Sequence, residues 1–200
     1  MILTRLTLLL CALVALTACS IGRPMPEAAT YMVEIPPPAM SAKRRPETLS
    51  MGRVRIAPAF ASRALVFRLD AVRYAADADN TFIADPGDLL GASMAAWLDR
   101  AGPFAAVTQP DNYEGATHVL EAVVTELYGD LRPERRAAAV VTVQFRLMDL
   151  TAVTPRARLE RTLSRRVDLV EPSPAAVVKG YGSALGEILT ELAADVSQAI

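Results

Sequence analysis

The sequence holds few of the residues from which active sites are built. Its 200 residues include one histidine, His118, and two cysteines, Cys11 and Cys19. One histidine cannot form a cluster of imidazole metal ligands, and Ser183 lacks the Gly-x-Ser-x-Gly setting of a hydrolase nucleophile. Carboxylates are numerous, but their spacing indicates no paired acid and base. We therefore assign no catalytic residue, no cofactor site and no metal site, and we interpret His118 as structural.

Two ligand-binding motifs are approached but not completed. The acidic residues from Asp77 to Asp88 resemble a calcium loop, which needs glycine at its sixth position and glutamate at its twelfth. Phe82 and Asp88 stand at those positions instead. Gly-Tyr-Gly at 180–182 departs from a dinucleotide-binding fingerprint, because the third glycine comes late and the segment lies in a predicted helix. Both interpretations are rejected.

An excess of charge of one sign is also absent. The chain has 21 basic and 22 acidic residues, and its formal net charge is −1. Without residues 1–18, which contain Arg5, 20 basic residues face 22 acidic ones and the charge is −2. This balance gives no electrostatic basis for binding nucleic acid.

A long apolar run occurs at the N-terminus. Arg5 precedes an apolar or small-residue run from Leu6 to Ala18, which is shorter than the roughly 20 residues of a spanning helix and typical of an export signal. Leu16-Thr17-Ala18-Cys19 resembles the lipobox of bacterial lipoproteins. The resemblance implies cleavage after Ala18, with an S-diacylglycerol and an N-acyl group such as palmitate on Cys19. An ordinary secretory signal with a chance cysteine is the alternative.

The lipobox resemblance defines the predicted organisation of the chain. Residues 1–18 form a lipoprotein signal peptide, residues 19–30 a tether rich in small residues and proline, and residues 31–200 a single domain. Three acyl chains would make the anchor effectively permanent. Since Cys11 leaves with the signal and Cys19 carries lipid, no thiol remains for a disulfide. The fold must therefore be stabilised by its core.

Hydrophobic periodicity predicts an α+β fold for that domain, with a mostly antiparallel sheet. Short strands are expected at residues 31–35, 53–57, 64–69, 73–75 and 104–107. Residues 39–50 are expected to be a polar linker. Long alternating segments are expected as strands at 117–128, 135–149 and 156–167. Their hairpin-length connections predict a three-strand antiparallel meander.

Two amphipathic helices are predicted to pack on this sheet. Asp85 followed by Pro86 begins the first, and its apolar stripe contains Met94 and Trp97. Ser173 followed by proline begins the second, which continues to the C-terminus. Three glycines weaken this helix by up to about 1 kcal/mol each. They are Gly180, Gly182 and Gly186. They indicate close approach either to the sheet or to a neighbouring copy in a homo-oligomer.

A series of packing motifs resembles one known family. In chain order the motifs are Val54-Arg55-Ile56-Ala57-Pro58, Leu65-Val66-Phe67-Arg68, Tyr74, residues 82–86, Leu89-Leu90 and Gly102-Pro103-Phe104. Together with the lipobox they resemble the ABC-type transport auxiliary lipoprotein family, which includes the paraquat-inducible lipoprotein C. The resemblance extends from about residue 31 to residue 198. Phe82 stands where the family's tryptophan is expected.

This resemblance implies a non-enzymatic docking component of an envelope transport system. Its expected partners are an ABC permease and ATPase and an MCE-domain substrate-binding protein, which together move phospholipid or other hydrophobic molecules. Docking would use a sheet edge or the helix face from Gly180 to Gly186. The body would face the periplasm from the outer membrane, because Ser20 replaces the aspartate that favours inner-membrane retention. The alternative is a carrier that holds acyl chains in its own groove.

Overall fold

The computed structural model describes residues 28–38, 43–109 and 112–200. The predicted signal peptide, Cys19 and most of the predicted tether lie outside these residues. The strands are β1 (Ala29–Tyr31), β2 (Thr48–Met51), β3 (Arg55–Ile56), β4 (Ala64–Arg68), β5 (Tyr74–Phe82), β6 (Ala106–Thr108), β7 (His118–Asp130), β8 (Ala138–Asp149) and β9 (Arg156–Asp168). The helices are α1 (Pro86–Ala101) and α2 (Pro174–Ala199), with a short 3-10 helix at Pro58–Phe60.

Strand β7 is the centre of one mixed sheet. It pairs in parallel with β2, β3 and β4 along one side and antiparallel with β8 along the other. Strand β9 pairs antiparallel with β8, so the predicted meander is confirmed. The parallel ladders are short, and most paired residues belong to the antiparallel ladders, as predicted. A parallel pair needs a crossover, and the chain between β4 and β7 contains the α1 crossover.

Both helices lie against the sheet and close a single core. Helix α2 packs on β8 and β9, and helix α1 packs on β6 and on α2. The predicted α1 stripe is at most 2% exposed at Leu90, Met94, Trp97 and Leu98. The α+β class with two packed amphipathic helices is therefore confirmed.

The two helices begin where their capping residues predict. The Asp85 carboxylate accepts a hydrogen bond of 2.8 Å from the Gly87 amide, and Pro86 is the first helical residue. The Ser173 hydroxyl oxygen accepts from the Ala176 amide at 3.2 Å. Since the first-turn amides of a helix lack intrahelical acceptors, these side chains supply them.

The strand predicted at residues 31–35 is wrong in its bounds. Ladder pairing stops at Tyr31, because its partner Phe82 is the last residue of β5. Residues 32–38, which we call the strap, continue along α2, where Glu34 lies at Gly182 and Pro36 at Gly186. Val33 in the strap is 3% exposed and belongs to the core. The strand also begins at Ala29, inside the segment predicted as tether.

The linker predicted at residues 39–50 is also partly wrong. Residues Thr48–Met51 form β2, which pairs with both β6 and β7. Leu49 and Ser50 are fully buried. The buried Ser50 hydroxyl is satisfied by donation to the Asn112 carbonyl oxygen at 2.8 Å. Thr48–Met51 alternates polar and apolar residues, but four residues are too short a pattern to identify a strand. Its burial depends on neighbours that come more than 50 positions later.

Candidate interaction surface

The helix face from Gly180 to Gly186 is closed, which corrects one predicted docking surface. A methyl group at Gly180 would lie 2.5 Å from the Ala139 Cβ of β8. A methyl group at Gly182 would collide with the Glu34 carbonyl oxygen of the strap. The glycines therefore allow close approach to the chain's own sheet and strap, which is one of the two alternatives that their spacing predicted.

The other predicted docking surface, a sheet edge, is present along β9. This strand is 13 residues long and pairs with β8 on one side. No strand in the described part of the chain pairs with its other side. An edge of this length presents a row of backbone donors and acceptors to a partner strand.

Salt bridges to α2 hold β9 in place from its inner side. Arg161 donates to the Asp195 carboxylate at 2.8 Å, and the Arg165 guanidinium lies 3.2 Å from the Glu187 carboxylate. Leu163 lies between these arginines and is 6% exposed. The edge is thus held by a helix on one face and keeps its outer backbone open. Such an edge is preorganised for pairing, because its conformation does not have to be ordered on binding.

The sheet face opposite the helices is polar around this edge. A shallow depression of about 440 Å³ is lined by residues of β3, β7, β8 and β9, which are Arg55, Glu121, Val123, Gln144, Phe145, Arg146, Glu160, Arg161 and Thr162. Arg146 and Glu160 form a salt bridge of 2.9 Å across β8 and β9. The Thr142 hydroxyl donates to the Glu126 carboxylate at 2.6 Å and lies 2.8 Å from the Ser164 hydroxyl. These groups suit hydrogen bonding with a polar partner.

A buried carboxylate fixes one end of β9 to β7. The Asp130 side chain is fully buried and accepts hydrogen bonds from Arg132, at 2.7 Å, and from Arg166 of β9. The Arg132 guanidinium holds the pKa of Asp130 well below its ordinary value, and Arg166 adds to this effect. The same contact raises the pKa of Arg132. Asp130 and Arg132 therefore stay charged at neutral pH, and with Arg166 they form a fixed structural cluster.

The two residues considered for catalysis, His118 and Ser183, lie on different elements and each bonds to its own local partner. His118 is 5% exposed, and its Nδ1 lies 3.0 Å from the Thr117 hydroxyl. Burial lowers the pKa of His118, and the nearby Asp149 and Glu47 oppose this shift. Ser183 lies on α2 and its hydroxyl donates to the Lys179 carbonyl oxygen at 3.3 Å.

The acidic residues between Asp77 and Asp88 are distributed over a strand and a helix start. Asp77 and Asp79 lie in β5, where the Asp77 carboxylate accepts from the Asn80 amide at 3.1 Å. Across residues 28–38, 43–109 and 112–200, no group of three or more His, Cys, Asp or Glu side chains is arranged to hold a metal. Within the same ranges, no helix has the length and hydropathy required to cross a bilayer.

Sequence reasoning named an edge without saying which one. The sequence shows the alternation of β9 but not its position at the border of the sheet. Another strand could have paired with the outer side of β9, and the alternation would have been the same. The Asp130 cluster was also missed. A single aspartate in a strand gives no sequence signal, and its two arginines come 2 and 36 positions later.

Comparison with known proteins places these features in a family. The family described as "ABC-type transport auxiliary lipoprotein component" matches residues 31–193. A crystal structure of protein XCC0632 from Xanthomonas campestris, of the family DUF330, has a TM-score of 0.72 and 18% identity, and covers 85% of this chain and 98% of that one. A second crystal structure, of an uncharacterised protein, has a TM-score of 0.64 and 14% identity, covering 83% and 99%. The search of curated proteins found no match.

Proposed function

Because the chain belongs to the family of ABC-type transport auxiliary lipoprotein components, we propose that it is the lipid-anchored docking component of an ABC transport system in the bacterial envelope. The observation that carries this proposal is the extent of the family match, which covers residues 31–193. The match includes all of the sheet except the first two residues of β1, together with most of α2, so it concerns the whole body and not one motif. The protein acts by holding a partner and has no turnover of its own.

The anchor is Cys19, acylated on its sulfur and on its amino group. The lipobox-like residues 16–19 support this assignment. Ser20 supports the outer membrane as the site of anchoring, with the body facing the periplasm. Mass spectrometry of the N-terminal peptide tests the anchor directly, since a free Cys19 thiol would contradict it.

The partner is an MCE-domain substrate-binding protein that works with an ABC permease and ATPase. The cargo of the system is phospholipid or another hydrophobic molecule. The polar open face and the charged β9 support contact with a protein surface. The docking element is the β9 edge, which can add one strand of the partner to the sheet.

Site-specific cross-linking tests both the partner and the edge. No other thiol remains in the acylated chain, so a Thr162→Cys variant carries one reactive group on β9. A Thr190→Cys variant is the matched control, because Thr190 is an exposed threonine on α2. We expect a reagent with one thiol-reactive and one amine-reactive end to join the Thr162→Cys variant to an MCE-domain protein in cells. Equal yield from both variants would exclude β9 as the docking element.

The carrier alternative requires space for acyl chains between the sheet and the helices. That region is filled by Phe82, Phe104 and Tyr181, each at most 2% exposed, together with leucines of both layers. Docking is therefore the better supported function. Mass spectrometry of the purified body distinguishes the two, since a carrier would retain phospholipid in a fixed ratio. Recovery of lipid without any MCE-domain partner would count against docking.

A further inference from the structure

We propose that one end of the sheet lies against the membrane that holds Cys19. We call it the tether end, and it consists of the connections at residues 69–73, 131–137 and 169–173. The inference rests on the proposed acylation of Cys19, and it adds an orientation and a contact surface. The tether end contacts a lipid surface that carries anionic headgroups.

The three connections lie at one end because their strands are in register. Arg68 at the end of β4 pairs with Asp130 at the end of β7 and with Tyr74 at the start of β5. Asp168 at the end of β9 pairs with Ala138 at the start of β8. The Leu131 amide also donates to the Arg68 carbonyl oxygen at 2.9 Å.

The N-terminal chain arrives from this end. Strand β1 is parallel to β5, which begins at the tether end, so β1 runs away from it. The strap keeps the same direction, because Glu34 lies at Gly182 and Pro36 lies at Gly186, further along α2. A hydrogen bond of 2.9 Å from Trp97 Nε1 to the Pro36 carbonyl oxygen holds the strap in place. The N-terminal end of β1 therefore faces the tether end.

The length of chain before β1 fits this placement. Ala29 is level with Asn80, six residues into β5 from Tyr74, which is about 20 Å from the tether end at the rise of a strand. Residues 19–28 extend to about 35 Å at most. A chain that keeps the direction of β1 thus brings Cys19 just beyond the tether end. Reaching the opposite end would require the chain to reverse.

The surface of the tether end suits a bilayer interface. Val72 is 84% exposed and Val170 is 102% exposed. Arg135 and Arg136 are exposed, and among the described residues neither forms a salt bridge with a carboxylate. Arg73, Arg132 and Arg166 are paired with Asp70, Asp130 and Asp168. Glu134 lies 4.0 Å from the Arg132 guanidinium, so the only carboxylate without a salt bridge in these three connections is Glu171, against two such arginines. Apolar side chains beside arginines without a carboxylate partner are typical of interfacial contact.

Fluorescent labels on single thiols test the orientation in the acylated full chain. Val72→Cys and Val170→Cys place a label at the tether end, and Val153→Cys places it in the β8–β9 connection at the opposite end. Val153 is 106% exposed, so it is a matched control for Val170. The protein is reconstituted in vesicles of phosphatidylethanolamine and phosphatidylglycerol that contain a headgroup quencher. We expect the labels of the Val72→Cys and Val170→Cys variants to lose most of their fluorescence, and that of Val153→Cys to keep it.

Charge reversal tests the contact surface itself. In the Val170→Cys background, an Arg135→Glu/Arg136→Glu variant should lower the ratio of docked to free bodies at least about thirtyfold at low salt. Quenching of Val153→Cys equal to that of Val170→Cys would overturn the proposed orientation. Absence of quenching at all positions, with acylated Cys19 detected by mass spectrometry, would overturn the contact and leave the anchor intact. An unacylated Cys19 would instead overturn the proposed function, on which the orientation depends.

Discussion

At the scale of single residues, the strongest constraint is the buried charge of Asp130. A carboxylate without solvent contact is tolerated when several donors compensate it, and Arg132 and Arg166 provide them. Because the two arginines come from the β7–β8 connection and from β9, one side chain joins three parts of the sheet. The cluster therefore acts on the position of the β9 edge.

Replacing Asp130 tests this role. An Asp130→Asn variant leaves two arginines facing a neutral group, but these side chains are 12% and 31% exposed and remain partly hydrated. We expect the free energy of unfolding at pH 7 to fall by about 2 kcal/mol. Urea unfolding followed by circular dichroism measures it. Asp168→Asn, at the exposed Arg166–Asp168 pair, is the control and should change stability by less than about 0.5 kcal/mol.

The effect of the same variant on the free energy of unfolding should depend on pH. The pKa of Asp130 is lowered by Arg132, and a carboxyl group with a lowered folded-state pKa stabilises the fold above its unfolded-state pKa. The contribution is complete above about pH 5 and is lost as the pH falls toward the folded-state pKa. The stability difference between wild type and Asp130→Asn should therefore be largest near neutrality and shrink below about pH 4. A constant difference over this range would show that charge is not the cause.

Two glycines of α2 should respond in opposite directions to the same change. A Gly182→Ala methyl group collides with the Glu34 carbonyl oxygen, and backbone cannot move aside without displacing the strap. We expect a loss of about 1 to 3 kcal/mol. A Gly186→Ala methyl group lies 3.5 Å from Pro36 Cδ, an ordinary contact, so helix propensity should give a gain of up to about 1 kcal/mol. Thermal unfolding of both variants measures the two signs.

At the scale of elements, the strap is the feature that departs most from ordinary secondary structure. In the described ranges no strand pairs with it after Tyr31, yet Val33 is buried and the Pro36 carbonyl oxygen accepts a hydrogen bond from Trp97. Three consecutive prolines limit its backbone freedom before folding, which lowers the entropy lost when it docks. Because the strap contacts α2 at Gly182 and Gly186 and bonds to Trp97 of α1, it joins the two helices.

A Trp97→Phe variant isolates the contribution of that hydrogen bond. The aromatic ring stays in the core, but the Pro36 carbonyl oxygen loses its donor. We expect a loss of about 1 to 2 kcal/mol. Hydrogen exchange should show faster opening of residues 32–38 with little change in β7 and β8. Uniformly faster exchange in all strands would mean that the strap is not a separate opening unit.

At the scale of the whole molecule, stability rests on one continuous core that includes the N-terminal chain. Buried side chains from the strap, the sheet and both helices belong to a single cluster. No disulfide supports this core, since the two cysteines of the sequence are Cys11 and Cys19. Removing a peripheral part of the cluster should therefore weaken the entire domain.

Truncation measures this dependence. A chain that begins at Ala28 keeps β1 and the strap, and it should unfold as the natural body does. A chain that begins at Lys43 loses the β1–β5 ladder, the burial of Val33 and the Trp97 hydrogen bond. We expect it to unfold at a temperature lower by roughly 10 °C or more, because several kcal/mol are lost from a domain of this size. Equal unfolding temperatures of the two chains would show that β1 and the strap do not contribute to the stability of the domain.

The sequence alone determined the elements whose signals are local. Alternation over 12 or more residues defined β7, β8 and β9, and capping residues such as Asp85 and Ser173 defined the starts of both helices. The family was also apparent from the ordered packing motifs. These features depend on hydrogen bonds and side-chain periods within a few positions, so a linear reading finds them.

The tertiary structure alone decided what depends on distant partners. It placed Thr48–Met51 between β6 and β7, closed the Gly180 to Gly186 face with β8 and the strap, and left β9 at the border of the sheet. The buried position of Asp130 became evident only when β7 and β9 came together. Each outcome depends on which segments become neighbours, and one sequence does not record this, because many neighbours satisfy the same hydrophobic pattern.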